Sequence, residues 1–212
     1  MKHLYLIRHG QNPFGVNDQY CGSSNPSLTP EGIAMLHQLK AGGGYPSIEG
    51  LHVYTSGWAR TEETLRELYG DIPHDIDREY RECDFGDLEG VCRKNLYGKP
   101  GFRSWWSTPD DDLPYPNGES WHHVFQRTSA ELHRLLAIDE DALIISHGGA
   151  ISATMYALFP EDRPTVGDWL LDNGHGYAID FADRRAIRWH DIPDLSQLSC
   201  CRSSAESSIA GI

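Results

Sequence analysis

Two short apolar runs, far apart in the chain, each lead directly into a histidine. Residues 4–7 lead into Arg8 and His9, residues 142–146 lead into His147, and glycine follows both histidines. A strand that stops at such a histidine leaves the imidazole on the carboxyl edge of a sheet, where open α/β folds bind their ligands. Two strands of this kind predict two histidines that meet over one site.

Strand-like and helix-like segments alternate along most of the chain, which is typical of an α/β fold. Thr29 and Pro30 indicate a helix that begins with Thr29 as N-cap and continues to about Lys40. Further helices are predicted at about 58–69, from near Ser120, and at about 150–158, and strands at 2–8, 51–55, 73–76, 142–146, 176–181 and 186–190. We therefore predict a three-layer α/β/α sandwich with a mostly parallel central sheet.

The chain of 212 residues fits a single domain, which we place at 1–195, with a Ser-rich C-terminal tail at 196–212. Residues 82–118 interrupt the alternation with many glycines and prolines, and we interpret them as a loop and helical insertion over the site. Four aromatic residues lie in or beside this insertion: Trp105, Trp106, Tyr115 and Trp121. They either form an aromatic lid or pack the insertion onto the domain, and the sequence leaves both interpretations open.

The formal net charge of −13 argues against nucleic acid or an anionic membrane as a main partner, because both attract basic surfaces. Apolar residues make up 39% of the chain, which is enough for a core. No apolar run approaches the ~20 residues that cross a bilayer. The first apolar run leads into Arg8 and His9 rather than into a cleavage site, so we expect a cytoplasmic protein.

Cysteine and histidine spacing predicts neither a disulfide framework nor a metal site. The five cysteines are an odd number without CxxC spacing, so we expect free thiols. The neighbours His122 and His123 project in different directions from a helix, and neither a carboxylate nor a cysteine completes a ligand set with His133. We expect no metal and no bound cofactor.

Six ordered motifs resemble those of the histidine phosphatase superfamily, the group of cofactor-dependent phosphoglycerate mutases and related acid phosphatases. They are 6–10 (LIRHG), 28–32 (LTPEG), 56–64 (SGWARTEET), 82–90 (ECDFGDLEG), 118–120 (GES) and 146–149 (SHGG). An Arg-His-Gly tripeptide alone is weak evidence, but six motifs at suitable spacing are specific. The resemblance covers residues 2 to about 180.

This resemblance implies that His9 is the nucleophile, which forms a phosphohistidine that water then hydrolyses. The attacking nitrogen must carry no proton, so the other ring nitrogen should donate to a fixed acceptor, and nearby arginines should lower the imidazole pKa. Glu82 matches the family's proton donor for the leaving alkoxide. Other carboxylates crowd this segment, but the spacing to Phe85 and Gly86 favours Glu82.

The resemblance also implies a set of phosphate-binding residues. Arg8 and Arg60 match the family's arginines, whose guanidinium groups present paired donors to phosphate oxygens. Arg60 falls in the first turn of its predicted helix, where backbone N–H groups favour an anion. His147 matches the second family histidine, which binds and polarises the phosphate. The family often has Glu-Thr after Arg-His-Gly, whereas this chain has Gln11 and Asn12, and the Asn12 amide can still donate to phosphate.

Three functions fit these residues. The leading hypothesis is a metal-independent phosphomonoesterase that acts on a small phosphorylated metabolite and releases inorganic phosphate. A phosphoglycerate mutase is the first alternative, although mutases carry a longer insertion between the acid and the second histidine. A catalytically silent phosphate-binding module is the second, although a binder needs no proton donor. Tyr20, Cys21 and Gly22 resemble the sub-branch that dephosphorylates α-ribazole phosphate, and a homodimer is compatible with the family.

Overall fold

The computed structural model describes residues 2–96, 113–138 and 140–193. Its strands are β1 (Lys2–Arg8), β2 (His52–Thr55), β3 (Asp75–Ile76), β4 (Ala142–Ser146), β5 (Gly176–Ala182) and β6 (Arg185–Ile192). They form one sheet in the order β3-β2-β4-β1-β5-β6. The pairs β3-β2, β2-β4 and β4-β1 are parallel, and β5 is antiparallel to both of its neighbours.

The helices among the described residues are α1 (Pro13–Val16), α2 (Pro30–Gly42), α3 (Ala59–Tyr69), α4 (Trp121–Ile138) and α5 (Gly148–Leu158). Thr29 caps α2 as predicted, because its hydroxyl accepts from the N–H of Gly32 at 2.9 Å. Gly43 ends that helix in a left-handed conformation with φ of 78°. None of the described helices is long and apolar enough to cross a membrane.

Side chains alternate between the two faces of the central strands, and each face is covered by helices. Leu6 lies in a buried cluster with Leu135 of α4 and Ile151 of α5. The next residue, Ile7, lies in a second buried cluster with Leu65 of α3, beside which α2 packs. Each such side chain contributes roughly 1.5–3 kcal/mol by leaving water. The predicted three-layer sandwich is confirmed.

Several predicted segments differ from the observed ones by one or two residues at their ends. β3 is limited to Asp75–Ile76, and α5 begins at Gly148, ahead of its predicted start at residue 150. Glycine is a poor helix former, so local propensity placed the start too late. Both Gly148 and Gly149 are needed because the first turn of α5 packs tightly against the side chains of Arg8 and Glu82.

The predicted insertion at 82–118 is described in part. Residues Gly86–Leu88 and Arg93–Asn95 form short 3-10 turns, and Gln19 pairs with Cys92 in an isolated antiparallel bridge. Residues 97–112, which include Trp105 and Trp106, lie outside the described residues, as does the predicted tail at 196–212. The insertion and the tail therefore remain predictions.

Candidate active site

The two histidines follow neighbouring parallel strands. Arg8, the last residue of β1, is paired with Ser146, the last residue of β4, and the N–H of His9 donates to the carbonyl of Ser146 at 2.9 Å. The centroids of the His9 and His147 rings are 5.1 Å apart, with an angle of 62° between the ring planes. The sheet thus brings together the two histidines that the sequence places 138 positions apart (147 − 9).

The ring of His9 is held in one tautomer. Its Nδ1 lies 2.6 Å from the carbonyl oxygen of Gly10, which can only accept a hydrogen bond. Nδ1 therefore carries the proton, and Nε2 keeps a free lone pair. Burial, followed by the charges of Arg60 and Arg8, lowers the pKa of His9 well below its ordinary value, against the opposing effect of the Gly10 carbonyl. The buried ring is therefore neutral, with an unprotonated Nε2.

The backbone around His9 is anchored from two sides. The N–H of Gly10 donates to the hydroxyl of Thr64 in α3 at 2.8 Å, and Nδ2 of Asn173 donates to the His9 carbonyl at 2.9 Å. Asn173 belongs to the turn before β5 and was not among the predicted site residues. The only sequence signal for it was the Asn-Gly pair that it forms with Gly174.

His147 is fully buried and uses both ring nitrogens. Its Nδ1 accepts from Nε of Arg60 at 3.2 Å, and its Nε2 lies 2.7 Å from the hydroxyl of Ser56. Because Nε of arginine can only donate, the proton of His147 is on Nε2. Burial, followed by the charge of Arg60, lowers the pKa of His147 well below its ordinary value. Ser56 was quoted in a motif but was not predicted as a partner of this histidine.

Arg60 is the second residue of α3 and is fully buried, in the first-turn position that the sequence predicts. Besides the bond to His147, its Nη1 donates to the Ser24 carbonyl at 2.7 Å and its Nη2 donates to the Gly22 carbonyl at 3.0 Å. These contacts use three of the five N–H groups of the guanidinium. These contacts leave two N–H groups of the guanidinium unused.

Arg8 lies against the first turn of α5. Its Nη1 donates to the carbonyl of Leu171, whereas its buried Nε has no hydrogen-bond partner among the described residues. A Cβ at Gly148 would lie 3.3 Å from both Nε and Cζ of Arg8 and 2.7 Å from Cδ1 of Leu170. Glycine at 148 therefore lets Arg8 pack closely against α5. The Nε–H donor of Arg8 remains without a hydrogen-bond partner among the described residues.

Glu82 faces the same helix end. Its Oε1 accepts from the N–H of Cys83 at 3.0 Å, and its Oε2 accepts from the N–H of Gly149 at 3.1 Å. A Cβ at Gly149 would lie 2.2 Å from Oε1, so only glycine leaves room for the carboxylate. Glu82 is half-buried and lines the pocket over His9.

The cavity volume of this pocket is about 60 Å³. Its lining includes predicted residues, namely Arg8, His9, Asn12 and Glu82, together with Tyr20, Cys21, Phe85, Arg93, Leu170 and Asn173. Arg60 and His147 are not among the lining residues, since they are fully buried. Four of the six predicted site residues therefore face the pocket directly, and two lie beneath its surface.

Three of the lining residues have defined surroundings. Oδ1 of Asn12 accepts from the N–H of Gly15 at 2.9 Å and caps α1, while Nδ2 lies 3.8 Å from Sγ of Cys21. Burial raises the pKa of Cys21 to about 11, so this thiol is neutral. Arg93, which sequence reasoning missed, lies with its guanidinium carbon 5.7 Å from the centroid of the Tyr20 ring.

The aromatic residues of the predicted lid have different positions. Trp121 is buried in a cluster with Val124 and Phe85, so it packs α4 onto the domain. Tyr115 lies 5.4 Å from Phe85 and 6.3 Å from Tyr20 between ring centroids, and both of these partners line the pocket. The packing interpretation therefore holds for Trp121.

Thiols and potential metal ligands are the remaining groups that could carry chemistry. Within the described ranges, no group of three or more His, Cys, Asp or Glu residues is placed to hold a metal ion. Cys21, Cys83 and Cys92 are free thiols, in agreement with the prediction for these three.

Comparison with known proteins places this site in a family. The family model of the histidine phosphatase superfamily (branch 1) matches residues 4–191. The chain belongs to the histidine phosphatase superfamily. Among curated relatives, the 2,3-bisphosphoglycerate-dependent phosphoglycerate mutase of Methylobacterium sp. (strain 4-46) is 29% identical over 170 residues, which cover 73% of this chain and 79% of the relative.

Solved structures of the superfamily have the same fold. The alpha-ribazole phosphatase from Shigella flexneri superposes with a TM-score of 0.73 at 27% identity, over 87% of this chain and 93% of that chain. The phosphoglycerate mutase from Thermus thermophilus superposes with a TM-score of 0.67 at 24% identity, over 88% and 97%. The predicted family is confirmed, and its members include both phosphatases and mutases.

Proposed function

We propose that this enzyme is a phosphomonoesterase that acts on a small phosphorylated metabolite through a phosphohistidine at His9. The observation that carries the proposal is the state of the His9 ring. It is neutral, its Nδ1 donates to the Gly10 carbonyl, and its Nε2 is free at a pocket that Glu82 also lines. This combination supplies a nucleophile and an acid for the same phosphate ester.

In the first step, Nε2 of His9 attacks phosphorus and the bond between phosphorus and the ester oxygen breaks. Glu82, in its protonated form, gives its proton to the departing oxygen, which leaves as an alcohol. Arg8 and Arg60 stabilise the charge on the equatorial oxygens, since guanidinium groups pair well with phosphate. The products of this step are the alcohol, the phosphohistidine and the Glu82 carboxylate.

In the second step, the Glu82 carboxylate accepts a proton from a water molecule that attacks the phosphohistidine. The bond between phosphorus and Nε2 breaks, and inorganic phosphate leaves. Glu82 and His9 return to their starting states, so the cycle balances as hydrolysis. In both steps, the positive charge that stabilises the phosphate oxygens comes from the two arginines and from the amino ends of α3 and α5.

Arg60 and His147 are expected to contact the phosphate by exchanging their own hydrogen bond for bonds to the anion. Nε of Arg60 and Nδ1 of His147 are 3.2 Å apart. A dianion beside His147 favours its protonated form, which then donates from Nδ1 while Nε2–H stays on Ser56. This exchange accounts for two proposed binding residues that do not line the pocket.

The outer part of the pocket favours a leaving group with a flat or apolar portion. Tyr20, Phe85 and Leu170 supply apolar surface, and Arg93 supplies a positive charge at the same mouth. The Shigella flexneri relative is an alpha-ribazole phosphatase. Alpha-ribazole phosphate, which joins a flat base to a sugar phosphate, is therefore the first substrate to test.

Phosphoglycerate mutase is the second candidate, because the curated relatives named mutases reach 29% identity. A mutase must return the phosphoryl group to the bound substrate instead of to water. The two functions therefore differ in the acceptor and share the His9 chemistry. A silent phosphate-binding module is less well supported, because Glu82 lies at the pocket and a binder needs no acid.

The experiment is rapid-quench trapping with ³²P-labelled p-nitrophenyl phosphate in the presence of a chelator. We expect an acid-labile, base-stable phosphoenzyme and steady release of nitrophenol. His9→Ala should abolish the label and lower turnover by roughly 10³-fold or more. His37→Ala is the matched control, since this exposed histidine of α2 contacts Glu67 and lies outside the pocket.

Each outcome selects one hypothesis. Near-normal turnover by His9→Ala rejects the nucleophile, and a strict requirement for added metal rejects the metal-independent mechanism. Conversion of 3-phosphoglycerate to 2-phosphoglycerate, stimulated by the bisphosphate and faster than hydrolysis, selects the mutase. Tight phosphate binding without any phosphoenzyme selects the binding module.

A further inference from the structure

The carboxylate of Glu89 accepts hydrogen bonds from the N–H groups of one short turn, residues 22–24. Its Oε1 accepts from the N–H groups of Gly22 at 2.8 Å and Ser23 at 2.9 Å. Its Oε2 accepts from the N–H and the hydroxyl of Ser24, at 3.3 and 2.7 Å. Hydrogen bonds to an ionised acceptor are stronger than neutral ones. One side chain thus orients three consecutive N–H groups from a distant part of the chain.

The opposite side of the same turn holds Arg60. The Gly22 and Ser24 carbonyls accept from Nη2 and Nη1 of Arg60, at 3.0 and 2.7 Å. The Gly22 carbonyl and the Ser23 N–H belong to one peptide unit and point in opposite directions. This peptide unit therefore lies between the Glu89 carboxylate and the Arg60 guanidinium and is hydrogen-bonded to both.

The turn packs closely against the segment that carries Glu82 and Glu89. A Cβ at Gly22 would lie 1.8 Å from the carbonyl oxygen of Cys83 and 2.8 Å from Oε1 of Glu89. Glycine at 22 is therefore required for the carboxylate to reach all three N–H groups. Among the residues that line the pocket over His9, Glu89 is absent, so it has no direct path to a bound substrate.

We propose that Glu89 is a positioning residue that acts on phosphate through the Gly22–Ser24 turn and Arg60. This inference rests on the proposed function, because the orientation of Arg60 matters to a phosphate-binding site. Without the Glu89 acceptors, the peptide between Gly22 and Ser23 can rotate, and the guanidinium loses the carbonyls that fix its plane. The two N–H groups left for phosphate then lose their direction.

The test is a double-mutant cycle with Arg60. Glu89→Gln keeps the side-chain shape but replaces one acceptor oxygen with a donor that faces N–H groups. We expect kcat/KM for p-nitrophenyl phosphate to fall by roughly 10- to 100-fold, with a matching rise in the inhibition constant of inorganic phosphate. In the Arg60→Ala background, the same substitution should change either value by less than about 2-fold.

Two further variants keep the test decisive. Ser24→Ala removes one bond to Glu89 without adding a donor, and we expect a smaller loss that also disappears in the Arg60→Ala background. This variant serves if Glu89→Gln does not fold, as judged by its thermal midpoint. Glu63→Gln is the matched control, because Glu63 accepts from the N–H of Leu28 at 2.7 Å in the neighbouring loop. Its effect on kcat/KM should be independent of Arg60, so the fold-change of the double variant should be the product of the two single fold-changes.

A readout that is independent of activity separates this inference from the proposed function. Nε–H of Arg60 is buried against His147 and should give a slowly exchanging NMR signal. Glu89→Gln or Ser24→Ala should shift this signal and speed its exchange, and Glu63→Gln should not. If Glu89→Gln lowers kcat/KM by the same factor in the Arg60→Ala background as in the wild type, the inference is wrong. It is also wrong if the Arg60 Nε–H signal is unchanged in Glu89→Gln. If the wild type neither hydrolyses esters nor binds phosphate, the proposed function fails instead, and the signal still tests Glu89.

Discussion

A histidine attacks phosphorus only through a ring nitrogen that carries no proton. In His9 that nitrogen is Nε2, because the Gly10 carbonyl accepts the hydrogen bond from Nδ1–H. In His147 the assignment is reversed, since Nδ1 accepts from Arg60 and Nε2 contacts the hydroxyl of Ser56. The two rings thus have opposite tautomers, each set by a neighbour that cannot exchange its role as donor or acceptor.

This arrangement predicts the titration of both rings. Because burial and the nearby arginines lower the pKa of His9 and His147 well below 6.5, both rings stay neutral when the pH falls through the ordinary histidine range. We expect ¹⁵N NMR at pH 6 to show His9 protonated at Nδ1 and His147 at Nε2, with His37 as an assigned reference. An imidazolium signal from His9 at pH 6 would contradict this prediction.

Loss of Ser56 provides a separate check on His147. Ser56→Ala removes the partner of Nε2–H and leaves a buried donor without an acceptor, at a cost of about 1–3 kcal/mol. We expect weaker inhibition by inorganic phosphate, because the ring is then free to reorient. Ser47→Ala, at an exposed loop position, is a control that should leave this inhibition unchanged. Unaltered inhibition in Ser56→Ala would remove Ser56 from the site.

At the scale of elements, the first turn of α5 packs tightly against two side chains of the site. Its two glycines face Arg8 and Glu82, and its N–H groups include the donor to Glu82. Alanine at these positions favours the helix by up to about 1 kcal/mol. Any loss of activity on substitution therefore results from displaced side chains and not from a weaker helix.

Gly149→Ala tests this packing. Its Cβ would lie 2.2 Å from Oε1 of Glu82, so the carboxyl group must move away from the leaving oxygen. Alkyl phosphates need the proton more than p-nitrophenyl phosphate does, because alkoxides are the poorer leaving groups. We expect kcat to fall by roughly 10-fold or more for an alkyl phosphate and much less for the nitrophenyl ester.

The matched comparison for Gly149→Ala is Glu82→Gln. If the alanine acts by displacing the acid, the double variant should be no worse than Glu82→Gln alone. Equal losses for both substrates would show that Gly149→Ala disturbs phosphate binding instead.

At the scale of the whole molecule, a buried carboxylate pair joins α4 to the segment that leads to Glu82. Asp77 accepts from the N–H of Glu79 at 3.0 Å and contacts Glu131 of α4, while Arg134 pairs with Glu131. Burial, followed by the hydrogen bond and charge of Glu131, raises the pKa of Asp77 to about 7, against the effects of the Glu79 N–H and Arg134. The folded protein therefore binds a proton that the unfolded chain releases near pH 4.

The sign of the stability effect follows from this difference. Between about pH 4 and 7 the folded state holds more protons at Asp77 than the unfolded state, so this group lowers the free energy of unfolding as pH rises. Asp77→Asn cannot titrate. We expect the free energy of unfolding of Asp77→Asn minus that of the wild type to increase by about 2 kcal/mol between pH 5 and pH 8, as measured by urea titrations. A constant difference would show that the pair does not share a proton.

Much of this molecule can be predicted from short stretches of sequence. The apolar runs that lead into His9 and His147 and the Thr29 cap are local signals, because strands and helix ends depend on neighbouring residues. The six short motifs, in their order along the chain, indicated the family. These signals were enough to predict the layers of the fold and the family.

The contacts that orient those residues depend on segments far apart in the chain. Glu89 meets the turn at Gly22 from 67 positions away, and Ser56 meets His147 from 91. Local propensity even opposed the true start of α5, where Gly148 and Gly149 make room for distant side chains. The periodicity and the capping residues of an element lie within a single run of the sequence. Hydrogen bonds between remote loops form only once the sheet has folded and brought those loops to one edge.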